Sequence, residues 1–460
     1  MRHAPEIAPH IFRQYDIRGI VGEDLDTGVA ERVGRAYATV VRETTGSDAP
    51  SVVVGEDNRP SSPELADALM HGLAQAGARV THLGTVPTPI VYWAEKVLET
   101  DGGVQITGSH NPSEWNGIKM SAQGRSLYGD AIQDLRTRIE SGALATGEGS
   151  RERRDVLDDY VADITGRFEI PRPVRVAVDC GNGSGSIVAV RLLEAIGAEV
   201  TALFCESDGT FPNHHPDPTV DEYLEDLMRE VKSGRAECGI AFDGDADRIG
   251  VVDENGQVVR GDILLLLFGL DLLQRLGKGQ KLVFDVKCSQ VLPEVFEKHG
   301  GVPIMWKTGH SLMKEKMREE GASLAGELSG HICFADDYYG FDDALYDACR
   351  VIDLLARSER YLSQMVAELP SYVSTPEIRI EVDERRKFDI VREAQEHFRE
   401  RYQVIDVDGA RVLFGDGWGL LRASNTQPVL VARYEARTEE RLQEIRGEIE
   451  DFLRAQGVDL

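Results

Sequence analysis

Ser51-Val-Val-Val-Gly55, an amphipathic run from Pro63 to Ala76, and then Gly77-Ala-Arg-Val-Thr81 form the stretch that decides the fold. The first piece is a β-branched apolar strand, and the second carries its apolar residues at helical spacing. Gly77 stands where a helix end wants a left-handed residue before the chain re-enters the sheet. The same grammar returns in Val174-Arg-Val-Ala-Val-Asp179, a helix near Ile187 to Ala195, and Gly197-Ala-Glu-Val-Thr201. It returns again in Leu282-Val-Phe-Asp285, a helix near Val291 to Lys298, and Gly300-Gly-Val-Pro-Ile304. Strands alternating with helices predict α/β layers, and the triplication predicts three related mixed α/β domains.

From about Leu369 the pattern changes to a strand (Glu377 to Val382), a helix (Phe388 to Tyr402), short strands around Val412 to Leu421, a strand (Val429 to Ala436) and a final helix (Glu439 to Ala455). That order predicts a smaller C-terminal α+β domain with a helix-covered antiparallel sheet. The expected domains are 1–150, 151–255, 256–368 and 369–460. Within the first repeat, Ser61 lies three residues before Glu64, with Pro63 in the opening turn, and reads as a helix cap rather than a nucleophile.

The 460 residues are 42% apolar and 28% charged, which excludes a disordered or collagen-like chain. The longest apolar run, Ile263 to Leu270, is far short of the roughly 20 residues that a membrane span needs. No continuous apolar segment marks a secretory leader at the N-terminus. Six scattered cysteines without a Cys-x-x-Cys pair read as buried free thiols in a reducing, cytoplasmic compartment, not as a zinc site. With 51 Lys plus Arg against 79 Asp plus Glu, the net charge is −28, which argues against nucleic acid or a membrane surface as partner. An anionic substrate then needs a local basic pocket working against the overall field.

Each repeat carries an unusual polar loop after its glycine turn. Thr107-Gly-Ser-His-Asn-Pro112 puts the Ser109 hydroxyl on a tight turn. Asn111 in place of a second glycine excludes a hydrolase elbow, and taken alone a structural serine/threonine turn is the better reading. Asp243-Gly-Asp-Ala-Asp-Arg248 sets three carboxylates at alternate positions between apolar strands. Such charges repel unless a cation sits among them, and hard oxygen ligands with small neighbours suit Mg²⁺. Asp243, Asp245, Asp247 and Glu254 also match EF-hand positions, but Arg248 replaces the required glycine and strands flank the loop. Gly326-Glu-Leu-Ser-Gly-His331 alternates an acceptor, a hydroxyl and an imidazole, a set suited to a polyol. Arg422-Ala-Ser-Asn-Thr-Gln-Pro428 offers a guanidinium, hydroxyls and turn N–H groups for a phosphate. Val178-Asp-Cys-Gly-Asn-Gly-Ser-Gly-Ser186 imitates a dinucleotide fingerprint, but Ser186 takes the third glycine position, so it reads as a structural strand-to-helix turn.

These four loops, in this order, resemble the α-D-phosphohexomutases, most closely the bacterial phosphomannomutase/phosphoglucomutase group. The resemblance also rests on Tyr15-Asp-Ile-Arg-Gly19, Asn116-Gly-Ile-Lys119, Lys287 and Lys307-Thr-Gly-His310, and so spans essentially the whole chain. Ala246 stands where the family commonly has glycine, and Leu328 occupies the variable middle of its loop.

The resemblance implies four domains around a central cleft and a reversible interconversion of hexose 1-phosphate and 6-phosphate, with mannose and glucose as sugars. It makes Ser109 a phosphoserine that, with Asp243, Asp245 and Asp247, binds Mg²⁺, and it makes a hexose 1,6-bisphosphate the primer and intermediate. Arg18, Lys119, His310 and His331 become catalytic candidates, with Arg248 adding charge at the phosphoryl group. Tyr15, His110, Arg248, Lys287, Glu327, Ser329, Arg422, Ser424, Asn425 and Thr426 become substrate contacts. Phosphosugars are the implied partners of a monomer or weak oligomer. A phosphoglucosamine mutase, a Mg²⁺-dependent sugar-phosphate phosphatase and a non-enzymatic phosphosugar-binding protein are the alternatives.

Overall fold

The structure is a computed structural model that describes residues 7–424 and 428–459. The chain divides into two compact units, Met1–Gly261 with Ser329–Gln364, and Asp262–Leu328 with Met365–Leu460.

In the first unit, Ser51–Glu56 lies between Gly102–Ile106 and Arg79–Thr85, and it pairs with both in parallel. Trp115–Ala122 then adds antiparallel to Gly102–Ile106, and Ile17–Ile20 adds antiparallel to that. The second sheet repeats the order: Arg175–Asp179 lies between Cys238–Phe242 and Glu199–Leu203, again in parallel, and Ile249–Val252 adds antiparallel to Cys238–Phe242. In the second unit, Lys281–Asp285 lies between Leu324–Gly326 and Val302–Trp306, once more in parallel. The triplication read from the sequence is therefore a triplication of strand order, with the first strand central and the third beside it. Gly77, Gly197 and Gly300 take φ of 91°, 100° and 93°, the left-handed turn each repeat needs after its helix.

The C-terminal segment differs as expected. Val429–Ala436 pairs antiparallel with Gly417–Ala423, which continues to Ala410–Leu413 and Gln403–Ile405. Ile378–Glu381 pairs with the other edge of Val429–Ala436. Helices Lys387–Arg399 and Glu439–Ala455 cover the sheet, burying Ile390, Ala394, Phe398, Ile445, Ile449 and Leu453 against its apolar face.

One local expectation is corrected. Ser61 precedes helix Ser62–Gln75 but makes no capping bond, because its backbone is already helical (φ −84°, ψ −16°) and an N-cap normally needs extended geometry. Its Oγ instead accepts a hydrogen bond from Asn116 Nδ2 at 2.9 Å. Among the described residues, no helix is long and apolar enough to cross a membrane.

Candidate active site

All three polar loops leave the carboxyl end of the third strand of their repeat, the edge at which parallel α/β sheets present ligand-binding groups. In the first loop, Thr107 Oγ1 accepts from the Ser109 N–H at 2.8 Å. The serine/threonine turn is thus made by Thr107, and the Ser109 hydroxyl is left for other work. Ser109 is buried and left-handed, with φ 49°. Its Oγ donates to Asp243 Oδ2 at 3.1 Å and lies 3.1 Å from His110 Nδ1.

The aspartate loop bridges the antiparallel strands Cys238–Phe242 and Ile249–Val252, which no EF-hand does. Asp243, Asp245 and Asp247 are fully buried, and one carboxylate oxygen from each lies within 4.8 Å of the others. Burial, then Asp247 and Asp245, push the Asp243 carboxyl well above the ordinary range. Lys119, on the strand Trp115–Ala122, donates to Asp245 Oδ2 at 2.7 Å and Asp247 Oδ2 at 2.5 Å. Burial alone would lower that ammonium, but the facing Asp245, Asp247 and Asp243 hold it above its usual value. The Thr88 hydroxyl also donates to Asp245 Oδ2, and these bonds keep Asp245 below its ordinary value despite burial. Asp245 Oδ1 is buried without a hydrogen-bond partner among the described residues. Three oxygen donors with one orphaned acceptor fit a hard divalent cation. Ala246 takes φ 57°, so this position favours glycine and alanine carries about 1 kcal/mol of strain.

Arg18, on the strand Ile17–Ile20, donates to Gly108 O at 3.0 Å and Asn111 Oδ1 at 2.7 Å, and pairs with Asp16. Burial, with Arg248 and Arg18 nearby, pushes the His110 imidazole well below its normal pKa. Arg248 Nε donates to His331 Nε2 at 2.9 Å, and His331 Nδ1 lies 3.0 Å from Asp342 Oδ2. That pattern places the ring proton on Nδ1, facing the carboxylate. Gly330 O accepts from Ile249 N at 3.1 Å, seating the His331 turn on the strand that leaves the aspartate loop. Tyr15 is half-buried in the bend before Ile17–Ile20, and Ser329 is half-buried in its turn.

The remaining candidates belong to the second unit. Glu327 Oε1 accepts from the Gly309 N–H at 2.5 Å, directly before His310, which opens helix His310–Glu320. Lys287 pairs with Glu377 at 2.7 Å, and Glu377, Asp285 and Glu327 raise its pKa against the lowering by burial. Arg422 pairs with Asp408 at 3.2 Å, and Asp408 Oδ2 also accepts from Thr308 N at 3.0 Å. Arg422 and the Lys307–His310 segment are therefore tied through one carboxylate. Ser424 N donates to Val429 O at 3.0 Å, while Asn425 and Thr426 lie outside the described residues.

Four consecutive domain families match: phosphoglucomutase/phosphomannomutase α/β/α domains I (residues 9–145), II (158–256) and III (260–372), and the C-terminal domain (377–452). The chain belongs to the phosphoglucomutase/phosphomannomutase family of the α-D-phosphohexomutases. It is 46% identical over 453 residues to a phosphomannomutase/phosphoglucomutase of Pseudomonas aeruginosa, covering 98% of this chain and 97% of that one. A phosphoglucomutase of Neisseria gonorrhoeae is 44% identical over 446 residues, covering 96% of each. A crystal structure of a phosphoglucomutase/phosphomannomutase family protein from Burkholderia thailandensis superposes with a TM-score of 0.91 at 44% identity, over 98% of both chains.

In this phosphohexomutase the serine loop is organised by a residue that the sequence reading passed over. Arg59 is fully buried and donates to Ser109 O (2.6 Å), Asn111 O (2.6 Å), Pro112 O (2.5 Å) and Trp115 O (3.1 Å), while its Nε pairs with Asp57 at 3.0 Å. A Cβ at Gly108 would collide with this guanidinium. The available signal was Asp57-Asn-Arg59 directly after the buried strand, an acid and a base two residues apart in the loop before the helix. Arg411 does similar work in the second unit, donating to Val286 O and Cys288 O at 2.6 and 2.8 Å beside Lys287 and stacking on Trp418. Burial lowers its pKa to about 10.

Proposed function

We propose that this protein interconverts the 1- and 6-phosphates of glucose and mannose, carrying the mobile phosphoryl group on Ser109 and passing through a bisphosphorylated sugar. One observation carries the reading: the Ser109 hydroxyl lies 3.1 Å from Asp243 within a buried cluster of three aspartates. Full-length relatives named phosphomannomutase/phosphoglucomutase and phosphoglucomutase favour this reading over a phosphoglucosamine mutase or a phosphatase. Six free cysteines support a reducing, cytoplasmic setting, and the four domains are assigned as 1–150, 151–255, 256–368 and 369–460.

In the transfer step, the bond from phosphorus to Ser109 Oγ breaks as a bond to a sugar hydroxyl oxygen forms, and the hydroxyl proton passes to a base. Such chemistry depends on in-line positioning and charge neutralisation. Asp243, Asp245 and Asp247, with an oxygen on Ser109, would hold Mg²⁺, which neutralises charge on the phosphoryl oxygens. Arg18 and Arg248 add fixed positive charge, and His110, kept neutral, orients the serine. Lys119, which donates to Asp245 and Asp247, adds positive charge beside the aspartates. Lys119, His310 and His331 are the candidates for moving the hydroxyl proton. Tyr15 and Lys287 contact the sugar, Glu327 and Ser329 read its hydroxyls, and Arg422, Ser424, Asn425 and Thr426 hold the non-transferring phosphate.

Asp245→Asn removes one ligand charge, and ligand charge sets cation affinity, so the Mg²⁺ needed for half-maximal rate is expected to rise at least about tenfold. A metal titration of initial rates checks this, and full activity of chelator-treated enzyme would sink the metal assignment. Specificity gives a second expectation. Glucose and mannose differ only at carbon 2, whereas Glu327 and Ser329 are assigned to the shared 3- and 4-hydroxyls. Their 1-phosphates should then show kcat/KM values within about tenfold, roughly 1.4 kcal/mol of transition-state binding. Galactose 1-phosphate, inverted at carbon 4, should lose a further 1–3 kcal/mol, on the order of an unpaired buried partner. Equal rates for galactose and glucose would remove Glu327 and Ser329 from that role.

A further inference from the structure

Cys180 directly follows the strand Arg175–Asp179, and Cys205 follows the neighbouring strand Glu199–Leu203 by two residues. These strands pair in parallel with Asp179 opposite Leu203, which brings the two sulfurs to 3.1 Å. Of the six cysteines, Cys205 is the one that is not buried, and its neighbour Cys180 is buried. We propose that Cys180 and Cys205 form a peroxide-reactive dithiol that closes to a disulfide and slows turnover.

The Cys205 thiolate attacks one peroxide oxygen: an S–O bond forms, the O–O bond breaks, and hydroxide leaves and is protonated to water. Cys180 sulfur then attacks Cys205 sulfur: the S–S bond forms, the S–O bond breaks, and the thiol proton of Cys180 departs with the hydroxide as water. Two thiols lose two electrons, and one hydrogen peroxide becomes two waters. Closure moves the sulfurs from 3.1 Å to the roughly 2.05 Å of a disulfide, a small displacement between adjacent strands. Reactivity needs thiolate, and the hydrogen bond between the two sulfurs lowers the Cys205 pKa while raising that of Cys180.

The link to turnover runs through the turn that Cys180 begins. Cys180 O accepts from Gly183 N at 2.8 Å, and the Ser184 N–H and hydroxyl donate to Gly244 O at 2.9 and 3.1 Å. Gly244 belongs to the aspartate loop and lies so close to Ser109 O that it leaves no room for a Cβ. This turn is the segment that imitates a dinucleotide fingerprint, and its glycines serve close packing on the metal loop. A covalent tie at Cys180 restrains that contact.

The test treats the full chain with stoichiometric hydrogen peroxide, then measures intact mass, peptide linkage and initial rates. The expected result is a loss of about 2 Da, a Cys180–Cys205 linked peptide, and a severalfold lower kcat that dithiothreitol restores. Cys205→Ser should keep the basal rate and resist peroxide, and Cys180→Ala serves the same purpose should the first variant misfold. Oxygen addition at Cys205 without linkage would overturn the pairing, and linkage with an unchanged kcat would overturn the effect on turnover. The rate effect rests on the mutase reading. The linkage is read by mass, so the two can fail separately.

Discussion

Replacing Ser109 with alanine is expected to lower kcat for glucose 1-phosphate by at least about 10⁴-fold, near 5.5 kcal/mol at 1.36 kcal/mol per decade, while leaving the fold standing. The rate argument is that no other hydroxyl replaces the covalent carrier, and a nucleophile that opens a two-step path cannot be removed by degrees. The stability argument is that the loop does not depend on the serine side chain. Among the described residues its Oγ bonds Asp243 and His110, whereas its main chain is held by Thr107 and Arg59. Melting temperature should shift by no more than a few degrees, since about 1 kcal/mol is at stake. Initial rates paired with a thermal melt decide the matter. An alanine variant retaining more than about one per cent of the wild-type rate would overturn the phosphoserine mechanism.

Arg59→Met should do the reverse, damaging stability and activity together. The substitution keeps apolar bulk but leaves four carbonyl groups and the Asp57 carboxylate without their shared donor, and breaking a buried charge pair costs about 3–5 kcal/mol. For a unit of this size that corresponds to a fall of roughly 5–8 °C in melting temperature. Because Ser109 O is one of the freed carbonyls, the left-handed turn at Ser109 loses its restraint, and kcat should fall at least about 100-fold even at temperatures where the protein stays folded. Arg59→Lys separates the two effects. A single ammonium can pair with Asp57 but cannot span four carbonyls, so much of the stability should return while kcat stays low. Wild-type kcat in Arg59→Lys would show that the fork geometry is irrelevant to the serine.

The parts of the fold that followed from sequence are those in which local chemistry and tertiary need agree. Gly77, Gly197 and Gly300 mark helix ends because those turns require positive φ, and the strand Val429–Ala436 and helix Glu439–Ala455 follow from unbroken periodicity. The loops were legible because charge in an apolar setting is costly, so Asp243, Asp245 and Asp247 between two buried strands demanded an explanation. What stayed hidden was action at long sequence distance. Arg59 reaches Ser109 across fifty residues, and Asp342 reaches His331 from the far side of a turn, with no local pattern to announce either. Ser61 misled because a capping motif specifies side chains but not the backbone angle at the first residue, and Asn116 claimed the hydroxyl instead.

The shared strand order has a consequence for how such an enzyme could arise. Thr107–Pro112, Asp243–Arg248 and Gly326–His331 are each six residues long and leave the same strand of the same three-strand arrangement. An ancestral unit copied twice would have delivered each new loop to an equivalent perch, already supported by its own core and helix turn. Divergence would then have had only a short window to rewrite in each copy, giving the nucleophile, the cation cage and the sugar reader of the proposed mechanism. Folding information would have stayed in the duplicated frame, leaving each loop free to change without renegotiating the architecture beneath it.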